Sequence, residues 1–230
     1  TLFELKRKVD LLSKNIAILP SNLSDRIMQF LSLFWPNHLP KRIEKFRKRF
    51  EHHWIIEMSD EGIDEIRVYF KNFFKNSEGD FFECTEKEGK KAILHRFTAA
   101  SAFGRYSKIH ENKIGGQMSM DIAFPRNEKN WFEKLPPDLE DSFELKFYYG
   151  HLFCHVLHQN YIIKKGLDPK KIKEKMFEIY DRRGAEYPSE HNVRHEYVAK
   201  KDLLNFYKKL DPTNSFNSGI GFSSKNKFWK

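Results

Sequence analysis

With 230 residues, 40% of them hydrophobic, the chain is long enough to bury the core of one large or two small domains, and its formal net charge of +9 points to an anionic partner. Two cysteines far apart in sequence, Cys84 and Cys154, exclude a disulfide framework and fit a reducing compartment. No apolar run approaches the roughly 20 residues that span a bilayer and no signal-peptide pattern is present, so a bilayer-crossing chain is not expected. The first residue is Thr1 rather than Met, as in a segment of something longer.

Residues 1–50 read as helical and basic, with Leu11, Leu12, Ile16, Ile27, Phe30, Leu31, Leu33, Phe34 and Trp35 supplying apolar faces. Pro20, Pro36 and Pro40 cut this region into short helices. Lys41, Arg42, Lys45, Arg47, Lys48 and Arg49 then stand beside Ile43, Phe46, Phe50 and Trp54. Two readings stay open for them. In one, aromatic rings sit at headgroup depth and each cation gains about 1 kcal/mol from anionic lipid. In the other, this is a solvated basic helix with its apolar side in the core. Nucleic-acid-binding motifs are absent, and no nucleic-acid partner is expected.

Further along, residues 53–58 read as a strand, 62–70 as a helix with Ile63, Ile66 and Phe70 inward, and 81–84 as a short strand. Thr85 and Glu88 form a capping box for a helix over 90–103 that carries His95 and Arg96. After Gly115 and Gly116 an alternating strand runs over 117–125, and 130–135 begins a helical stretch. Residues 143–163 make the longest strand-like run, broken by Gly150. Asp168 and Pro169 open an amphipathic helix that Gly184 closes. The fold class is therefore α+β, an antiparallel sheet flanked by helices and preceded by basic helices; no Gly-rich nucleotide loop occurs.

Chemistry concentrates in two places. Residues 185–197 hold Glu190, His191 and His195 with two tyrosines, and adjacent Glu190 and His191 converge on one volume only where the backbone is irregular, as Pro188 and Ser189 encourage. Upstream stand His151, His155 and His158. On a helix they would share a face; on one continuous strand His151 and His155 share a face and His158 points away unless a bulge intervenes. The aromatic content favours a strand. His151, His158 and Glu190 supply two imidazoles and a carboxylate, a sufficient set for a divalent ion, with His191 left as a base. Hydrogen-bonded structural histidines are the alternative.

Several ordered stretches resemble the respiratory, quinone-dependent D-lactate dehydrogenases of bacteria. They are Phe-Phe-Glu-Cys-Thr at 81–85, Lys-Lys-Ala-Ile-Leu-His-Arg-Phe at 90–97, Met-Asp-Ile-Ala-Phe-Pro-Arg-Asn at 120–127 and Leu-Lys-Phe-Tyr-Tyr-Gly-His-Leu-Phe-Cys-His at 145–155. With them go Tyr-Ile-Ile-Lys-Lys-Gly at 161–166, Tyr-Pro-Ser-Glu-His-Asn-Val at 187–193 and Asp-Pro-Thr-Asn-Ser-Phe-Asn-Ser-Gly-Ile-Gly at 211–221. The resemblance implies the C-terminal part of such an enzyme: membrane-binding helices at 1–54, a cap domain with an antiparallel sheet at 55–183, and at 184–230 an active-site loop and terminal segment that pack on an upstream FAD domain. It implies oxidation of D-lactate to pyruvate with electrons passing to quinone, a peripheral place on the cytoplasmic face of the bacterial inner membrane, anionic phospholipid as partner, and inactivity of the segment without its FAD domain.

By the pattern of related vanillyl-alcohol-oxidase-type flavoproteins, His151, His158 and Glu190 become metal ligands and His191 the base. Arg96 pairs with the substrate carboxylate, and Asn217 and Gly219 lie against flavin. The pattern is departed from at Cys154, His155 and Val156, at Ser218 where Pro is usual and at Arg194 where Gly is. His155 and His195 receive no role. A different D-2-hydroxy acid as substrate, or a non-catalytic membrane-binding module, are the alternative expectations.

Overall fold

The computed structural model describes residues 2–16, 18–34, 36–151, 156–187 and 198–230, which belong to two compact units, Thr1–Arg105 and Tyr106–Lys230. The first unit is helical: α1 (Leu2–Asn15), α2 (Leu23–Ser32), α3 (Lys41–Arg47), α4 (Gly62–Phe73) and most of α5 (Glu86–Ile109). α1 and α2 meet through polar groups. Lys6 Nζ donates to Ser24 Oγ at 3.0 Å and pairs with Asp10 and Asp25, each at 3.3 Å, while the Ser24 hydroxyl donates to Asp10. The capping box at α5 forms as expected, with Thr85 N donating to Glu88 Oε2 at 2.9 Å and Glu88 N to Thr85 Oγ1 at 3.4 Å. α5 begins at Glu86, directly after its cap and four residues before the expected Lys90, and runs past Gly104 to Ile109, six residues beyond the expected end at Phe103.

Two expected strands in this unit are absent. Strands need a partner for their backbone groups, and no other strand forms among the described residues of the first unit. The aromatic residues that made 81–84 look strand-like pack instead against helices, Phe81 against Phe70 at 5.2 Å and Phe82 against Phe46 at 4.7 Å between ring centroids. Residues 53–58 form no ladder.

The second unit is built on β1 (Ile114–Ala123), β2 (Phe143–His151) and β3 (Val156–Lys164), antiparallel in the order β1-β3-β2. What the sequence offered as one long run at 143–163 is thus a pair of neighbouring strands. Gly115 is required where β1 begins, because a Cβ there would lie 2.4 Å from the Lys164 carbonyl oxygen. The expected helix at 130–135 does not form: the Arg183 guanidinium takes the carbonyls of Asn130 and Phe132, and helical structure begins only at α6 (Pro137–Glu140). α7 (Pro169–Arg182) matches its expected limits, with Asp168 capping Lys170 N at 2.9 Å and Ile172, Met176, Ile179 and Tyr180 making one buried stripe. That stripe and one sheet face, Met118, Met120, Ile122, Leu157, Tyr161 and Ile163, form the core. α8 (Lys201–Leu210) and two single 3₁₀ turns complete the chain. The α+β expectation, an antiparallel sheet with helices, holds.

Candidate functional site

Alternation along β1, β2 and β3 leaves the sheet with a second face, turned away from the α7 core. It carries Ser119 and Asp121 from β1, His158 and Asn160 from β3, and Phe147, Tyr149 and His151 from β2, around the buried Val156 and Ile162. His158 stands opposite Asp121 on one side and Tyr149 on the other, and His151 opposite Val156. His151 and His158 therefore share a face as diagonal neighbours, with ring centroids 5.2 Å apart and planes at 89°. On one unbroken strand the seven-residue spacing would turn them to opposite faces. Because β2 and β3 are antiparallel neighbours, the seven-residue spacing brings them together instead.

Asp121 was missed by sequence reasoning. Its carboxylate oxygen lies 2.7 Å from His158 Nδ1, and it is 7% exposed. The signal available was an acidic residue at the polar parity of a strand whose other parity is Met118, Met120 and Ile122. Tyr149, whose phenol burial raises above its ordinary pKa, stands across the ladder from His158.

The row at the end of the sheet is Ala123, Val156 and His151. Glu186 is tied to this row: Ala123 N donates to its carbonyl at 2.9 Å and its own N–H donates back at 2.8 Å. Glu186 is thus held at the outer edge of β1. Glu190, His191, Arg194 and His195, like Cys154 and His155, lie outside the described residues. Among the described residues no group of three or more His, Cys, Asp or Glu is disposed to hold a metal ion.

Arg96 lies on α5 in the first unit, exposed, with its guanidinium 5.4 Å from the Phe97 ring and no ion pair among the described residues. Asn217 and Gly219 occupy a tight terminal turn, both with positive φ, 50° and 82°. The turn is anchored from below. Asp211 accepts from Phe216 N at 2.7 Å and Thr213 Oγ1 at 2.9 Å, bonds that hold its carboxyl below the usual range, and the buried Asn214 donates to the carbonyls of Ser224 and Asn226 at 2.8 Å each. A rigid turn with positive φ lets backbone approach a planar ligand closely.

The first unit presents a different surface. On α2 and its flanks Phe30 is 62%, Leu33 71%, Phe34 74% and Ile18 93% exposed, while Asn22, Ser24 and Asp25 are buried. Polar residues inside and apolar residues outside reverse the usual arrangement of a helix pair in water. Of the six basic residues, Arg42 is bidentate on Glu88, Arg49 pairs with Asp80 at 3.0 Å and Lys48 lies 3.9 Å from Glu44. Lys41, Lys45 and Arg47 make no ion pair among the described residues. No helix of the described residues is long and apolar enough to cross a membrane.

The second unit thus carries paired imidazoles on one sheet face, and the first exposes apolar and basic residues. A family model described as D-lactate dehydrogenase, membrane binding, matches residues 1–229, and the chain belongs to that family. It is 48% identical over 229 residues to the quinone-dependent D-lactate dehydrogenase of Haemophilus influenzae, covering 99% of this chain and 41% of that protein. To the proteins of the same name from Escherichia coli and Corynebacterium glutamicum it is 44% identical over 228 residues and 39% over 230, again covering 99% of this chain and 40% of each. The chain spans about two fifths of the length of these curated relatives.

Proposed function

We propose that this chain is the membrane-binding and cap part of an FAD-dependent enzyme that oxidises D-lactate to pyruvate and passes the electrons to a membrane quinone. The observation that carries the reading is the His151–His158 pair on the sheet face away from α7. His191 would take the hydroxyl proton of D-lactate, and Arg96 would pair with the substrate carboxylate through its planar fork. A divalent ion would be held by His151, His158 and Glu190, and would polarise the hydroxyl; two imidazoles on one face fit their share of that set. FAD, when bound to the upstream domain, supplies the hydride acceptor, and the turn at Asn217 and Gly219 would lie against it. In this scheme residues 1–54 bind membrane, 55–183 form the cap and 184–230 close the active site and meet the FAD domain.

Attachment to the cytoplasmic face of the inner membrane would combine the outward apolar residues of α2 with Lys41, Lys45 and Arg47. The test is the visible spectrum of the full-length protein before and after anaerobic addition of D-lactate. Bleaching of an oxidised-flavin band is expected. A flavin bleached only by other D-2-hydroxy acids would change the substrate, and a protein without flavin would leave a non-catalytic membrane module.

A further inference from the structure

Asp121 is a buried carboxylate directly across the ladder from His158, with Oδ1 2.7 Å from Nδ1. With Asp121 ionised its carboxylate only accepts, which puts the proton between them on Nδ1 and leaves the lone pair of the neutral ring to Nε2. Burying such a charge is costly unless it is paired, and the imidazole N–H is a partner Asp121 meets at that depth. The geometry is held from both sides, since β3 is the central strand and pairs with β1 and β2 through His158 itself. Neighbouring β1 residues Met120 and Ile122 are buried in the core on the opposite face, which fixes the direction in which Asp121 emerges.

We propose that Asp121 is a positioning residue: it holds His158 as the Nδ1–H tautomer, in one ring orientation, so that Nε2 is the nitrogen turned to the chemistry on the sheet face. Asp121 itself touches neither substrate nor flavin in this scheme. The part it plays in turnover rests on the D-lactate dehydrogenase reading above; the tautomer does not.

The test uses the full-length protein labelled with ¹⁵N at histidine, with the His158 resonances assigned by their loss in His158→Gln. In the wild-type protein the neutral ring is expected to show a protonated Nδ1 and an unprotonated Nε2. Asp121→Leu, which removes the acceptor, is expected in chelator-treated protein to move the proton to Nε2, and the isosteric Asp121→Asn, untreated, to lower kcat for D-lactate by about 10- to 100-fold with flavin still bound. A protonated Nε2 in the wild-type protein overturns the proposal without any variant. So does a chelator-treated Asp121→Leu protein that folds, binds flavin and keeps the Nδ1–H tautomer, since no ion on Nε2 is then there to hold it. If wild-type His158 carries Nδ1–H but D-lactate leaves the flavin oxidised, the reaction assigned above falls and the positioning contact stands.

Discussion

Beneath the functional face, one glutamine organises the core. Gln159 is fully buried in β3, and its Oε1 accepts from the hydroxyls of both Tyr161, at 3.0 Å, and Tyr180, which joins α7 to the sheet. Buried phenols without an acceptor retain their full desolvation cost. Gln159→Leu is expected to destabilise the second unit by about 2 kcal/mol or more, and Tyr180→Phe, which leaves the Gln159–Tyr161 bond intact, by less; urea denaturation measures both. In the first unit His95 Nδ1 lies 2.9 Å from His38 Nε2, with the rings stacked at 4.8 Å. Burial, then the positive charge of His38 and Arg47, depresses the His95 pKa below its ordinary value. The unfolded chain therefore takes up this proton first. Stability from His95 is full above the unfolded value of about 6.5, falls as pH drops from there toward the lower folded pKa, and is flat below it. Denaturation midpoints between neutral and mildly acidic pH should show this loss, and His95→Gln should remove it.

The helices of the first unit divide the work of surface attachment in a way their composition alone does not reveal. α3 holds four of the six basic residues at 41–49, but Arg42 spends its guanidinium on Glu88 and the Glu83 carbonyl, and so fastens α3 to the start of α5. Arg42→Ala is expected to lower stability before it lowers lipid binding. α2 turns Phe30 and Phe34 outward, 5.3 Å apart and edge to face. Replacing both by Ser is expected to weaken binding to phosphatidylglycerol-containing vesicles by about tenfold or more at any salt concentration, because burying a Phe side chain is worth about 2 kcal/mol. Neutralising Lys41, Lys45 and Arg47 should instead weaken binding at low salt and have little effect at high salt, where such charges are screened. Sedimentation with vesicles separates the two; binding untouched by the Phe pair would remove α2 from the interface.

At the scale of the molecule, burial is unevenly distributed. Most of the fully buried apolar side chains, Met120, Ile122, Tyr161, Ile162, Ile163, Met176 and Tyr180 among them, belong to the second unit, while α3 and α4 contain no fully buried residue. Amide protection follows the stability of the segment that must open. Hydrogen exchange is expected to be slowest in β3 and faster by orders of magnitude in α1 to α4, with vesicles slowing exchange in α1 and α2 but not in β3. Uniform protection across both units in the absence of lipid would contradict this.

By itself the sequence determined what depends on local chemistry. Asp168 with Pro169 fixed the start of α7, Thr85 with Glu88 that of α5, and the ordered motifs the family, since caps act within one turn and motifs are strings of residues. It also located His151, His158 and the basic stretch. Where backbone groups find partners, and which side chains meet across strands, depends on distant residues. Hence 81–84 became a loop packed on helices, 130–135 lost its helix to Arg183, and His151 and His158, apart on a single strand, came onto one face of two. The tertiary structure alone placed Asp121 against His158 and turned the apolar side of α2 outward, because register between β1 and β3 and the burial of Ser24 and Asp25 against Lys6 are properties of packed elements.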